Sequence, residues 1–131
     1  MNIKRSVDIE DQIRLALKDY FTVYVRPLPA SFTVPSVLIE QTGGTTENTI
    51  DRFSVKLSAR ATTDADAQEL IRNVLGVLEE QTKSQVGDLR FITINSLASW
   101  GNDPVRPDLK LCTVTINVFA HKESFEIQEE S

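Results

Sequence analysis

The side chains suited to nucleophilic or metal chemistry are few and lie at unhelpful spacing. The chain has one cysteine, Cys112, and one histidine, His121. A metal site needs several converging ligands, and a Cys-His or Ser-His-Asp arrangement needs a base that is held in place. His121 follows the last predicted strand, where a base is poorly held. Cys112 sits inside an apolar strand pattern, which favours a buried small hydrophobe.

Paired carboxylates and a Gly-Gly pair are the other patterns that occur in catalytic or phosphate-binding sites. Gly43-Gly44 is followed by no lysine at P-loop spacing and by no predicted helix, so we do not expect a phosphate cradle. The carboxylate pairs fall at predicted helix ends or in the acidic C-terminal segment, where solvated charge explains them: Asp64/Asp66, Glu79/Glu80 and Glu129/Glu130. We expect no enzyme, no cofactor and no metal.

Composition narrows the function further. The length of 131 residues suits one domain. A net charge of −5 and a pI near 4.9 argue against a nucleic-acid groove, since phosphate binding needs clustered Lys and Arg. We expect no signal peptide and no membrane span, and the single cysteine fits a reducing compartment.

The segment Thr63–Thr82 is the clearest helix and the centre of the predicted fold. Thr63 or Asp64 can cap it, and acidic residues load its first turn. Its apolar residues recur at helical spacing: Ala67, Leu70, Ile71, Val74, Leu75 and Leu78. Because strand patterns flank it, we expect it to lie across the sheet that those strands build.

The remaining patterns predict a second helix and five strands. The helix is Ser6–Tyr20, and the strands are Phe21–Val25, Ser36–Gln41, Ile50–Ala61, Arg90–Leu97 and Leu109–Ala120. We predict an α+β fold, a single mixed or mostly antiparallel sheet with two helices against it, in the order αβββαββ. We expect Thr42–Thr49 to be a turn or mobile loop, residues 1–122 to form the domain, and residues 123–131 to be a flexible acidic tail.

The strand Ile50–Ala61 alternates cleanly between apolar and polar residues. Its polar face carries three cations in an acidic protein, Arg52, Lys56 and Arg60. This face is either simply solvated or complementary to an acidic partner, including a neighbouring copy of the chain.

The segment Ala98–Asp108 carries the only tryptophan, Trp100, among turn residues. Trp100 either folds back onto the sheet edge or anchors a contact, because interfaces favour Trp and Arg at their centres. Arg106 and Asp108 could supply polar partners for such a contact.

In its order of segments the chain resembles the tail terminator, or tail completion, proteins of long-tailed phages and prophages. The matching features are an opening helix (VDIEDQIRLALKDY), a strand ending in Arg-Pro, and a Pro-rich stretch before a short strand that ends near Gly43-Gly44. The strand RFSVKLSAR, a helix opening TDADA, and SWGNDPVRPD before a Thr- and Val-rich strand complete the match. The resemblance covers roughly residues 6 to 122.

The resemblance implies a structural protein without an active site. Copies would form a ring, usually a hexamer, on the last ring of the tail tube in the virion, assembled in the host cytoplasm. The implied partners are the major tail (tube) protein and a neck or head-completion protein, with DNA passing through the lumen without specific binding. The candidate interface residues are Arg52, Lys56, Arg60, Gly43, Gly44, Trp100, Arg106 and Asp108.

Two alternatives stay open at this point. A head-closure or other neck protein has a similar size and belongs to the same structural class. A small-molecule-binding α+β domain would need a concave apolar pocket with converging polar groups, which the sequence does not indicate.

Overall fold

Three strands of 12 residues each form the centre of the sheet in the computed structural model, which describes residues 1–47, 49–83, 89–94 and 99–129. The described elements, in chain order, are β1 (Asn2–Arg5), α1 (Ile9–Leu17), β2 (Val23–Val25), β3 (Ser36–Glu47), β4 (Ile50–Ala61), α2 (Asp64–Lys83), β5 (Leu89–Ile94), β6 (Ser99–Asn102), β7 (Lys110–His121) and β8 (Glu123–Glu126).

The main sheet has the order β2-β3-β4-β7-β5, and β6 also pairs with β7. β2 runs parallel to β3, and the other pairs are antiparallel. β1 and β8 form a separate antiparallel pair. The predicted α+β class with a mostly antiparallel, mixed sheet is therefore confirmed, although the described part holds more strands than the five predicted.

Both predicted helices form, and side-chain caps begin them. Asp8 Oδ1 accepts the Asp11 backbone N–H at 3.2 Å, and Thr63 Oγ1 accepts the Asp66 N–H at 3.1 Å. These caps satisfy N–H groups that lack partners inside a helix. α1 buries Ile9, Ile13 and Leu17, and α2 buries Ala67, Ile71, Val74, Leu78 and Thr82. The central helix predicted over Thr63–Thr82 is confirmed.

The core lies between these helices and one face of the sheet. Alternate residues of β4 and β7 enter it, as the alternation predicted: Phe53, Val55, Leu57 and Ala59 from β4, and Cys112, Val114, Ile116, Val118 and Ala120 from β7. Burial, with a smaller effect from Asp64, raises the pKa of the Cys112 thiol. Cys112 is thus a buried member of the core, as its strand pattern indicated.

The prediction of a loop over Thr42–Thr49 is wrong for its first six residues, because β3 continues to Glu47 and stays paired with β4. The register shifts between Gln41 and Gly43, which makes Thr42 the extra residue of a β-bulge. The two glycines lower the strand propensity of this segment, so the sequence did not predict a strand there. The strand forms because β4 supplies backbone hydrogen-bond partners along the whole segment. Asn48 lies outside the described residues.

Gly44 has a positive φ of 154°. A Cβ at that position would lie 2.4 Å from the Arg52 carbonyl oxygen, so the close approach of β3 to β4 requires a glycine there. At Gly43 a Cβ would meet nothing within 4 Å.

Three further strands, β1, β6 and β8, lie where regular structure was not expected. Glu123–Glu126 of the predicted tail forms β8, which pairs with β1, and Ser99–Asn102 of the predicted loop forms β6 on the edge of β7. Such short strands need a partner across the ladder, and local sequence does not reveal one. The predicted strand Arg90–Leu97 is described as β5 up to Ile94, and its last three residues, with residues 84–88, lie outside the described part.

Candidate functional site

The eight candidate interface residues do not form one site. They lie in three places: on and beside the open half of the outer sheet face (Arg52, Lys56, Gly43, Gly44), in a cluster around Phe32 (Arg60, Arg106, Asp108), and on the edge strand β6 (Trp100). The outer sheet face here means the face of β3, β4 and β7 that points away from the core.

The open half of the outer sheet face lies toward the hairpin that joins β3 to β4. Arg52 is exposed there, opposite Thr45 on β3 and Phe119 on β7. Thr45, Arg52 and Phe119 also help to line a surface concavity of about 360 Å³. This half therefore offers cationic and polar groups, an aromatic ring and a depression to a partner.

Lys56, on the same face, already has a partner inside the chain. Its Nζ lies 3.5 Å from Glu40 Oε1 on β3, and the Lys56 side chain keeps 41% of its surface exposed. A half-exposed pair of this kind contributes little to stability. It lowers the net positive charge of the face, so the predicted row of three cations is weaker than the sequence indicated.

Arg60 corrects that prediction outright, because it is buried. Its guanidinium Nε donates to Asp103 Oδ2 at 2.9 Å, and the two side chains are 9% and 0% exposed. Nη1 of Arg60 is buried with no hydrogen-bond partner among the described residues. The segment after β6 folds over this end of the sheet, and strand alternation alone cannot reveal such a cover.

Phe32 is the centre of the cluster that this cover forms. Phe32 is 5% exposed. The guanidinium carbons of Arg60 and Arg106 lie 5.7 and 5.4 Å from the ring centroid, within the range of cation–π attraction. Arg106 also approaches Asp108 at 3.7 Å, and both of those side chains remain largely exposed.

Asp103 orders the segment that carries Arg106. Its Oδ1 accepts the Val105 backbone N–H at 3.0 Å, while its own N–H donates to the Leu109 carbonyl at 3.0 Å. Burial raises the pKa of Asp103, but the hydrogen bond from Val105, the contact with Arg60 and a hydrogen bond from Arg106 outweigh burial and lower the pKa overall. Sequence reasoning missed Asp103; its only local signal is an aspartate placed before a proline in a turn.

Trp100 lies on β6 directly opposite Cys112, so the register places it on the helix side of the sheet. It lies at the sheet edge, and 47% of its surface remains exposed. Trp100 thus lies at the sheet edge, as the first interpretation has it, whereas its role as the anchor of a contact stays a prediction.

A second concavity, of about 280 Å³, lies beside Gly43 and Gly44 on the core side of the hairpin. Asp51, one of its several polar lining residues, is a carboxylate that is 2% exposed. Lys122 Nζ lies 3.2 Å from Asp51 Oδ1. Among the described residues, neither carboxylate oxygen of Asp51 accepts a hydrogen bond of good geometry. Burial raises the pKa of Asp51, and the nearby hydroxyls of Thr46 and Ser6, together with Lys122, lower it below its usual value.

No model of a known protein family matches the chain. A search of curated proteins likewise finds no significant relative. Within the described residues, no three His, Cys, Asp or Glu side chains converge as a metal site would need. The helices of the described part include none that is both long and apolar enough to cross a bilayer.

Proposed function

We propose that this protein is a tail terminator, a structural virion protein that caps the tail tube of a long-tailed phage or prophage as a ring, with six copies the expected number. The proposal starts from the order of segments that the sequence predicts: helix, strand ending in Arg-Pro, short strand, long alternating strand, helix, and a Trp-containing segment before the last long strand. It treats the protein as a non-enzyme that works through its surfaces.

The single observation that carries the proposal is the long, two-faced sheet. β3, β4 and β7 contain 12 residues each, a span of roughly 40 Å at about 3.3 Å per residue. The helices cover one face, whereas the open half of the outer sheet face presents Arg52, half-exposed Lys56 and the concavity beside Phe119. A broad polar face of this kind suits contact with neighbouring protein subunits.

The mechanism is surface complementarity. A tail tube grows because each ring offers the next ring a template, so length control needs a ring that binds the growing end and offers no such template on its far side. That far side would bind the neck or head-completion protein. The net charge of −5 suits a lumen through which DNA slides without specific binding.

Deleting the gene from the phage or prophage tests the proposal directly. The expected result is filled heads beside free tails, many with tubes longer than normal, counted by electron microscopy. Purified protein added to tails of normal length should cap them and restore joining to heads.

A head-closure protein would give a different picture, namely heads that lose their DNA beside tails of normal length. That picture would overturn the terminator proposal and place the protein on the head side of the neck. Complementation with the wild-type gene serves as the control, because it should restore normal tails and their joining to heads.

A further inference from the structure

β1 and β8 form a two-stranded ribbon beside the main sheet. The two strands lie about 120 residues apart in the sequence, so no loop joins them. They are held by contacts across the ribbon: Lys4 Nζ donates to Ser124 Oγ at 2.5 Å, and Arg5 Nε lies 2.7 Å from Glu123 Oε1. Among the described elements, β1 and β8 make extensive contacts only with each other.

The ribbon has an apolar face that the chain itself leaves open. Register places Ile3 opposite Phe125, and Ile127 lies two residues further along on the same face. Phe125 and Ile127 are 41% and 46% exposed, and the Arg5 guanidinium carbon lies 3.5 Å from the centre of the Phe125 ring. An isolated two-stranded ribbon is marginally stable in water, so this one needs further burial.

The charges of the two strands are opposite. β1 carries Lys4 and Arg5, and β8 carries Glu123 and Glu126. The ion pair between Arg5 and Glu123 joins the cationic strand to the anionic one, and a second copy of the chain offers the same anionic strand with the same register. Like strands from two copies, β1 on β1 or β8 on β8, would oppose like charges.

We propose that, in the assembled ring, β1 of one copy pairs with β8 of its neighbour. The contact joins two different surfaces, head to tail, and such contacts close into rings when the rotation between copies allows it. The apolar face of the exchanged ribbon lies against the neighbouring copy. This inference rests on the proposed ring, but the pairing itself is testable on purified protein.

The experiment uses disulfide trapping across the ribbon. Lys4 and Ser124 are directly opposed, and both are exposed. In an antiparallel ribbon, residue pairs that exchange backbone hydrogen bonds alternate with pairs that do not. Met1 and Ile127 exchange both backbone hydrogen bonds, so Lys4 and Ser124 form a non-bonded pair with close side chains, suited to a disulfide. Native Cys112 is buried and does not compete.

Lys4→Cys and Ser124→Cys proteins, one with a larger tag, are mixed, equilibrated and oxidised mildly. We expect a mixed covalent dimer, at roughly tenfold the yield from a control mixture of Lys4→Cys with Gln128→Cys, an exposed residue four positions along the chain from Ser124 and beyond β8. A chain with both Lys4→Cys and Ser124→Cys should give a ladder of covalent oligomers.

Equal yields from the two mixtures would mean random collision and would overturn the exchange. Light scattering of the wild-type protein then separates the two proposals. Oligomers that contain only intrachain disulfides overturn strand exchange and leave the ring intact, whereas a protein that is monomeric at every concentration, with only intrachain disulfides, counts against both.

Discussion

Replacing Asp103 by asparagine should destabilise the protein far more than its position in a turn suggests. Asn has nearly the same shape and keeps an oxygen for the Val105 N–H, but an NH2 group replaces Oδ2, so the change removes the negative charge and the acceptor of the Arg60 Nε–H. Arg60 then stays buried without the one ion-pair partner that the described residues give it, and its Nη1 already lacks a hydrogen-bond partner among them.

The magnitude follows from the burial of both side chains, at 0% and 9% exposed. Removing one member of a buried ion pair costs about 3–5 kcal/mol, because the remaining charge is uncompensated. For a domain of this size that loss lowers the melting temperature by roughly 10–20 °C. Asp108→Asn is the matched control, since its carboxylate is 69% exposed and 3.7 Å from Arg106, and we expect a change of about 0–1 kcal/mol there.

Thermal and urea unfolding of the wild type, both single variants and the double variant Arg60→Met/Asp103→Asn, which keeps the oxygen for the Val105 N–H, measure the effect. Because the double variant removes both charges, we expect it to recover most of the lost free energy of unfolding. If Asp103→Asn unfolds like Asp108→Asn, or if the double variant is no better than Asp103→Asn, the buried pair does not hold this segment in the way its geometry indicates.

The pH dependence provides an independent check. The pKa of Asp103 is lowered in the folded protein, so the ionised carboxylate contributes stability that is complete above its unfolded pKa, about 3.9, and is lost as the pH falls through the lower folded pKa. The difference in stability between wild type and Asp103→Asn should therefore be full at pH 7 and shrink below a pH of about 4.

Three further changes test other parts of the molecule. Gly44→Ala should destabilise the protein by about 1–3 kcal/mol, because the new Cβ meets the Arg52 carbonyl oxygen. Gly43→Ala is the control and should be neutral or slightly stabilising, because a Cβ there has open space. Equal melting temperatures for the two variants would contradict the extension of β3. Asp51→Asn should lower the free energy of unfolding by about 1.5–3 kcal/mol at pH 7, with the difference fading below a pH of about 4; a pH-independent loss would argue against an ionised Asp51. Arg52→Glu combined with Lys56→Glu should leave folding intact and weaken ring assembly, less so at high salt, when sedimentation is compared with the wild type; unchanged assembly would mean that these charges are only solvated.

The parts of the fold that the sequence predicted are those with a strong internal period. α2 repeats its apolar residues at helical spacing over 20 residues, and β4 and β7 alternate over 12 residues each. Such an element can be predicted without knowing what packs against it, because the spacing of its own apolar residues shows which face is buried.

The parts that were missed depend on distant partners. β1 and β8 each have four residues and pair across most of the chain, and the outer half of β3 is ordered by β4 despite its glycines. Arg60 looked exposed because its strand alternates correctly, yet Asp103, 43 residues later, folds over it. Local patterns report which face a residue takes, not whether another segment covers that face.

The bulge at Thr42 gives β3 one residue more than the stretch of β4 with which it pairs. Before the bulge, odd-numbered residues of β3 lie on the helix side, as Ile39 does opposite Leu57; after it, odd-numbered residues lie on the outer side, as Thr45 does opposite Arg52. Losing one residue at the bulge would restore plain alternation and leave every side chain beyond it on its present face. β4 has no bulge residue to lose. Deleting one residue from its middle would therefore move buried Asp51 and exposed Arg52 to opposite faces of the sheet. Variation in the length of this hairpin is therefore expected on one strand only.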